Sequence, residues 1–233
     1  MLKEVLINAL REEAKKEEKK YQGMFRVSSL SVCPAKAVYD YNGEEPVIED
    51  DKLPILTIGS RLHVMLQDYI PLKDIEKEFK RKYREKIIVG HIDGIYVDKE
   101  ENEMYLVEFK TISDKKYYGG KSTKDYLPSE NHVLQLHFYM RMSGIKKGKI
   151  VYLLKSSGEI VEFDFDYEEE IEKEMFKALD TAVDIVEGKT DFVDIYRDTI
   201  ADKKTKWKCD YCSFSHLCEE KSKERLEEDL EYV

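Results

Sequence analysis

Hydrophobic positions recur along this chain with two different spacings, one typical of helices and one typical of strands. Helical spacing over Leu2, Leu6, Ala9 and Leu10 runs into a Lys/Glu-rich stretch, which favours a solvated N-terminal helix or arm. Helices are also predicted over 28–41, 57–70, 130–143 and 168–188. Strands are predicted where the period is two, over 75–84, 86–97, 103–112, 149–156 and 159–166. This order of elements predicts one α/β body.

Composition supports a folded chain with a densely charged surface. Hydrophobic residues make up 42% of the 233 residues and charged residues 38%, which excludes a disordered chain. The formal net charge of −10 excludes a globally positive surface, so any DNA contact must come from local basic patches. No apolar run approaches the roughly 18 residues of a membrane span, and the N-terminal segment has no signal-peptide core. We therefore expect a cytoplasmic protein without a membrane partner.

The predicted hairpin around Asp93 and Glu108 carries the main candidate for catalysis. If Asp98 pairs with Glu103 across the turn, paired residue numbers sum to 201, so Asp93 lies opposite Glu108. Two opposed carboxylates repel unless a cation lies between them, and a divalent metal supplies that cation. Lys110 follows Glu108 by two positions and shares its face of the strand. The alternative is a surface hairpin with ordinary ion pairs.

Two carboxylates and a lysine on one face suit phosphodiester hydrolysis. A divalent ion polarises a phosphate oxygen and lowers the pKa of a bound water, while Lys110 orients that water or stabilises developing charge. Phe109 lies between the charged positions, so the period of two turns its side chain into the opposite layer. The hairpin thus predicts a hydrolytic site that needs no covalent step on the protein.

Two predicted helices supply further candidates. His63 lies one turn after Gly59 at the start of a helix leading into the sheet, where its imidazole would extend the candidate ions from magnesium to manganese. On the later helix, Gln135 and Tyr139 share a face, with His132 one turn earlier, and these side chains could touch DNA or the carboxylates. The alternatives are a hydrogen-bonded structural histidine and a polar edge on a packing helix.

Four cysteines form a second candidate site. Cys209, Cys212 and Cys218 lie close together in the sequence, and Cys33 precedes Cys209 by 176 positions. In a reducing compartment such thiols are metal ligands or buried thiols more often than disulfides. One distant cysteine with a cluster of three favours an iron–sulfur cluster over zinc, because zinc ribbons usually use two close pairs. Zinc and free thiols stay open as alternatives.

A lysine- and tyrosine-rich segment after the third strand is the candidate DNA-contacting loop, because lysines meet phosphates and aromatic rings stack on bases. Its candidate contacts are Lys115, Lys116, Tyr117, Tyr118, Lys121 and Lys124. Further basic patches lie at 80–86, 146–149 and 203–208, and the alternative for each is a set of solvated lysines.

Five motifs in this order resemble the RecB-like branch of the PD-(D/E)XK nuclease superfamily: Gly59 to His63, Asp93, Glu108-Phe109-Lys110, Gln135 to Tyr139, and the cysteines split between Cys33 and Cys209 to Cys218. The similarity is greatest to the iron–sulfur exonucleases of the fourth CRISPR-associated protein family and to the AddB nuclease domain. It implies an α/β fold with a restriction-endonuclease-like core, in which helices flank a central mixed β-sheet. An iron–sulfur-bearing helical subregion would join the N- and C-terminal parts.

The resemblance also implies domain divisions and residue roles. The expected parts are a charged N-terminal helix or arm, a first part of the iron–sulfur subregion, the nuclease core, and the remaining iron–sulfur subregion with the tail, at 1–27, 28–56, 57–190 and 191–233. Mg²⁺ or Mn²⁺ would be bound by His63, Asp93, Glu108 and the carbonyl of Phe109. The catalytic set would be Asp93, Glu108, Lys110, Gln135 and Tyr139. A [4Fe-4S] cluster would be held by Cys33, Cys209, Cys212 and Cys218.

The implied substrate is DNA that is single-stranded or has free ends. The implied settings are CRISPR spacer acquisition, a part of antiviral defence, and DNA repair, with CRISPR adaptation or recombination proteins as partners. The charged segment of more than twenty residues before Cys33 departs from the family pattern, so the setting stays open. Two other classes remain as alternatives: a non-cleaving DNA-binding or assembly subunit with the same fold, and a zinc-stapled structural protein.

Overall fold

The computed structural model of this protein describes residues 2–18, 21–113 and 120–231. Its helices, in chain order, are α1 (Leu2–Glu18), α2 (Val27–Leu30), α3 (Pro34–Asn42), α4 (Leu53–Tyr69), α5 (Glu130–Ser143), α6 (Glu169–Val186), α7 (Val193–Ala201), α8 (Trp207–Asp210) and α9 (Ser215–Glu231). Its strands are β1 (Met24–Arg26), β2 (Lys77–Tyr83), β3 (Lys86–Ile92), β4 (Gly94–Asp98), β5 (Glu103–Ile112), β6 (Lys147–Leu154) and β7 (Ile160–Asp166). The predicted α/β class is confirmed.

The strand predicted over 86–97 is divided at Asp93. β3 ends at Ile92 and β4 begins at Gly94, with Asp93 in a bend between them. β3 lies in a three-stranded sheet of order β1-β3-β2, whereas β4 lies in a four-stranded sheet of order β4-β5-β6-β7. Leu72 packs so closely on Gly94 that an added Cβ would lie 2.8 Å from its Cδ1. The chain therefore forms two mixed sheets where one central sheet was predicted.

Strand pairing in the four-stranded sheet follows the predicted register. β4 and β5 are antiparallel, and their pairs run from Asp98 opposite Glu103 to Gly94 opposite Val107. β5 and β6 are parallel, with α5 in the connection between them, and β6 and β7 form the predicted antiparallel hairpin. The ladder between β4 and β5 ends one residue short of Asp93.

The main core lies where α5 and α6 pack on the sheets. α6 places Met175, Leu179, Ala182 and Val183 on one buried stripe at helical spacing. Leu136 and Met140 of α5 are fully buried in the same cluster. Burial of one such leucine side chain stabilises the fold by roughly 1.5–3 kcal/mol.

The helix predicted over 28–41 is also divided. α2 ends at Leu30, and α3 begins at Pro34, which tolerates the first helical position because it has no N–H to leave unpaired. Cys33 is extended, with φ −163° and ψ 130°, and so lies outside the helix that follows it. The helices α7, α8 and α9 and the short strand β1 were not predicted. In the described part of the chain no helix has both the length and the apolar character to cross a membrane.

Candidate active site

Asp93 is fixed at the bend between the two sheets. Its side chain is buried, with 7% of its surface exposed. One carboxylate oxygen, Oδ2, accepts the main-chain N–H of Phe109 at 2.6 Å. The other, Oδ1, lies 3.0 Å from Nε2 of His63. Because the β4–β5 ladder stops at Gly94, the carboxylate takes the place of a strand partner for Phe109, and this anchors it beside Glu108.

Glu108 is buried on the α5 side of β5, with 2% of its surface exposed. Its Oε1 accepts hydrogen bonds from the Lys110 ammonium and from Nε2 of Gln135, the latter at 2.8 Å. Its Oε2 is buried and has no hydrogen-bond partner among the described residues. Burial and the Asp93 charge together raise the pKa of Glu108 to about 7, against the opposing effect of Lys110. A buried carboxylate oxygen without a partner fits a site for a cation.

Lys110 lies on the same face as Glu108, as the period of two predicts. Its ammonium donates to Glu108 and, at 3.2 Å, to Oε1 of Gln135. Burial lowers the pKa of Lys110, but the charges of Glu108 and Asp93 outweigh that effect and raise it. The Lys110 side chain therefore stays positively charged beside the two carboxylates.

Gln135 and Tyr139 of α5 complete the hydrogen-bond network around Glu108. Nε2 of Gln135 donates to the Tyr139 hydroxyl at 3.0 Å as well as to Glu108. Burial, reinforced by the Glu108 charge, raises the pKa of Tyr139 well above its ordinary value, so its phenol is neutral. The Tyr139 ring packs directly on Gly90 of β3, where an added Cβ would lie 2.5 Å from Cε1 of the ring. A residue without a side chain is required at that position.

His63 reaches the site from α4, on the opposite side of β5. Gly59 lets α4 approach β5, since a Cβ there would lie 3.2 Å from Oγ1 of Thr111. Burial lowers the pKa of His63, but hydrogen bonds to Asp93 and Glu76 outweigh it and raise the pKa to about 10. The raised pKa favours the protonated imidazole, whose charge compensates the acidic cluster.

Two residues of this site were missed from the sequence. Glu76 lies just before β2, with its Oε1 3.6 Å from Nε2 of His63. Gln67 is buried four positions after His63 on α4, and its Nε2 donates to Glu76 Oε1 at 2.6 Å and to the Asp93 carbonyl at 3.1 Å. The i,i+4 spacing from His63 could have indicated Gln67. Glu76 has positive φ (53°) and gives no such signal, because the turn alone directs it into the site.

The remaining predicted site residues lie as follows. The Phe109 ring packs with Val107 and Val151 on the α4 side, which confirms that it faces the layer opposite Glu108. His132 forms its hydrogen bond with Tyr152: its Nδ1 lies 3.0 Å from the Tyr152 hydroxyl, which also accepts the Ser129 N–H. Burial, followed by the Lys110 charge, lowers the pKa of His132 to about 3. His132 is a neutral, hydrogen-bonded structural residue.

The four cysteines line one cavity of about 180 Å³ between the start of α3 and the C-terminal helices. Burial, and to a smaller extent the charges of the neighbouring Cys33 and Cys212 thiols, raises the pKa of Cys209 to about 11. Burial raises the pKa of Cys218 to about 12. The four thiols thus face one common cavity.

The predicted DNA-contacting loop is described only in part, because Lys115, Lys116, Tyr117 and Tyr118 lie outside the described residues. The Lys121 ammonium lies 5.6 Å from the Tyr126 ring centroid, and Lys124 forms an ion pair with Glu159. The basic patches at 80–86 and 146–149 are largely neutralised by ion pairs. Arg84 pairs with Asp180 at 3.0 Å and Asp184 at 2.7 Å, and Lys149 pairs with Glu162 at 2.8 Å and Asp164 at 2.5 Å.

Comparison with known proteins agrees with this fold. A curated relative, the CRISPR-associated exonuclease Cas4 of Saccharolobus solfataricus, is 25% identical over 216 residues, which cover 85% of this chain and 89% of that protein. The crystal structure of SSO0001 has a TM-score of 0.59 at 22% identity and covers 94% of this chain and 96% of its own. The structure of LHK-Exo in complex with dAMP, an exonuclease from Laribacter hongkongensis, has a TM-score of 0.50 at 10% identity. It covers 75% of this chain and 93% of its own. The family model of the PD-(D/E)XK nuclease superfamily matches residues 75–219, more than half of the chain, and this protein belongs to that superfamily.

Proposed function

We propose that this protein is a metal-dependent DNA exonuclease that acts on single-stranded or end-containing DNA. The observation that carries the proposal is the meeting of Asp93, Glu108 and Lys110 at one point, where a buried Glu108 oxygen has no hydrogen-bond partner in the part of the chain that the structure describes. The curated relative, which is named an exonuclease, supports action at DNA ends. The superfamily supports a divalent ion at the acidic pair.

The proposed ligands of the ion are His63, Asp93, Glu108 and the carbonyl of Phe109. When bound, Mg²⁺ or Mn²⁺ would polarise the scissile phosphate and lower the pKa of a water. Lys110 would donate to the phosphate and stabilise the charge that develops on it. Gln135 holds Glu108 and Lys110 together, so that Oε1 of Glu108 is occupied and Oε2 is left for the cation.

Digestion of end-labelled single and double strands with each metal tests this function. Wild-type protein should shorten labelled strands with Mn²⁺ or Mg²⁺, and Lys110→Ala should lower the rate by about 10² or more. Lys149→Ala is the matched control, because it removes a lysine from the neighbouring strand β6 that pairs with Glu162 and Asp164. Equal rates for wild type and Lys110→Ala would refute the catalytic assignment. DNA binding without cleavage under any metal would favour the non-cleaving subunit instead.

We also propose that Cys33, Cys209, Cys212 and Cys218 hold a [4Fe-4S] cluster. The shared cavity supports a group bound by all four thiols. One distant cysteine with a cluster of three favours an iron–sulfur cluster over zinc, which is usually bound by two close pairs of cysteines. Anaerobic purification followed by iron, sulfide and zinc analysis tests the proposal, and a colourless zinc-loaded protein would contradict it.

The proposed cellular setting is CRISPR spacer acquisition, with DNA repair as the second candidate. The name of the curated relative supports the first. Co-purification with the CRISPR adaptation proteins of the same genome tests it, and retention of a recombination protein in their place would favour repair.

A further inference from the structure

Glu76 is not among the proposed ligands, but its carboxylate lies near the same His63 nitrogen as that of Asp93. Nε2 of His63 lies 3.0 Å from Asp93 Oδ1 and 3.6 Å from Glu76 Oε1. All three ligand atoms lie within 4.8 Å of one another. Neighbouring ligands of an octahedral ion with bonds of about 2.1 Å are about 3 Å apart, and opposite ligands about 4.2 Å. Both distances from Nε2 of His63 fall within this range of ligand separations.

Glu76 could either bind the ion directly or orient the His63 ring by a hydrogen bond. The ring nitrogen of His63 that Glu76 faces distinguishes these two roles. A histidine that binds a metal through Nε2 can donate only its Nδ1–H to an orienting carboxylate. Both Glu76 and Asp93 lie against Nε2. Glu76 and Asp93 are therefore placed to hold an ion together with Nε2 of His63, and not to orient the ring through Nδ1.

A buried amide sets the position of Glu76 even though 54% of its side chain is exposed. Gln67 is 4% exposed, and its Nε2 donates to Glu76 Oε1 at 2.6 Å and to the Asp93 carbonyl at 3.1 Å. Glu108 lies outside this compact group, because its Oε1 is held on the α5 side by Lys110 and Gln135. Its buried Oε2 has no hydrogen-bond partner within the described parts of the chain, which independently fits a site for a cation.

We infer that Glu76 is a direct ligand of the catalytic divalent ion, together with His63 and Asp93. Glu76 would hold the ion on the solvent-facing side of the site, because 54% of its side chain is exposed. The inference rests on the proposed metal-dependent function. An imidazole among the carboxylate ligands favours Mn²⁺ over Mg²⁺, since imidazole suits the softer ion.

Titration of the full chain with Mn²⁺ in the absence of DNA tests this inference. The protein is purified anaerobically, and free Mn²⁺ is followed by its electron paramagnetic resonance signal. Glu76→Gln and Glu76→Ala should raise the Kd for Mn²⁺ about tenfold or more. Glu78→Gln is the matched control, because Glu78 lies two residues further on and pairs with Lys80 at 2.8 Å; its Kd should stay within twofold of wild type. Asp93→Asn should lose Mn²⁺ binding.

The variants separate failure of this inference from failure of the proposed function. Kd values within twofold of wild type for both Glu76 variants, with binding lost in Asp93→Asn, would overturn the role of Glu76 and leave the metal-dependent nuclease intact. Unchanged binding in Asp93→Asn, or no binding by wild type, would overturn the metal site itself. Glu76→Gln keeps the size of the side chain, and its unfolding midpoint in metal-free buffer confirms that the variant is folded.

Discussion

Gly90→Ala should both destabilise the fold and disturb the active site. The new Cβ would lie 2.5 Å from Cε1 and 3.1 Å from Cδ1 of Tyr139, and 3.1 Å from Cγ2 of Val27. Tyr139 is 4% exposed and Val27 fully buried, so neither can move into solvent. Overpacking of this kind costs about 1–3 kcal/mol of unfolding free energy. Displacement of the ring would also weaken the Gln135–Tyr139 hydrogen bond of 3.0 Å and loosen the support of Glu108.

Gly148→Ala is the control variant that separates loss of stability from disturbance of the active site. Its Cβ would lie 2.8 Å from Cδ2 of Leu136, which is fully buried on the same helix, α5. Urea unfolding should therefore show a comparable loss of stability in both variants. Nuclease rate measured well below the unfolding midpoint should fall in Gly90→Ala and stay near wild type in Gly148→Ala. Equal rates in the two variants, or unchanged stability of Gly90→Ala, would refute the proposed contact between Gly90 and the catalytic network.

Three further predictions concern the cysteines, the α5 motif and the loop. Cys33→Ser should lower iron content and the thermal midpoint together, and unchanged iron would exclude Cys33 as a ligand. Gln135→Leu removes hydrogen bonds to Glu108, Lys110 and Tyr139; Mn²⁺ affinity or nuclease rate should fall 10–100-fold, and wild-type values would contradict the positioning role. Lys115→Ala with Lys116→Ala should lower the salt dependence of single-strand binding, measured by anisotropy, by a slope of about 1.4; an unchanged slope would remove both lysines from the DNA contact.

The parts of the fold that follow a simple period were predictable from the sequence. The register of β4 and β5 follows from one turn, because antiparallel pairing keeps a constant sum of residue numbers. The same period places Lys110 beside Glu108 and Phe109 in the opposite layer. Gln135 and Tyr139 meet because they are four apart on one helix. The superfamily resemblance carried by these motifs is confirmed, whereas the similarity to AddB stays an expectation.

The parts that depend on tertiary contacts were not predictable. The apolar run through Asp93 looks like one strand, and only the packing of Leu72 on Gly94 and the change of sheet divide it. Glu76 enters the site from a turn whose direction no periodicity encodes. His132 has the same spacing signal as Gln135, but Tyr152, which lies far away in sequence, takes its hydrogen bond. The ion pairs of Lys124 and Lys149 depend on distant carboxylates in the same way.

The single residue between β3 and β4 makes this stretch intolerant of changes in chain length. An insertion beside Asp93 cannot be absorbed as a longer loop, because Ile92 and Gly94 are already paired in two different sheets. Each added residue would shift a neighbouring strand by one position. Side chains of that strand that face the core would then point to the opposite side of the sheet. The β6–β7 turn around Ser157 and Gly158 is exposed and carries no site residue, so it should accept tags or extra residues that the Asp93 bend would reject.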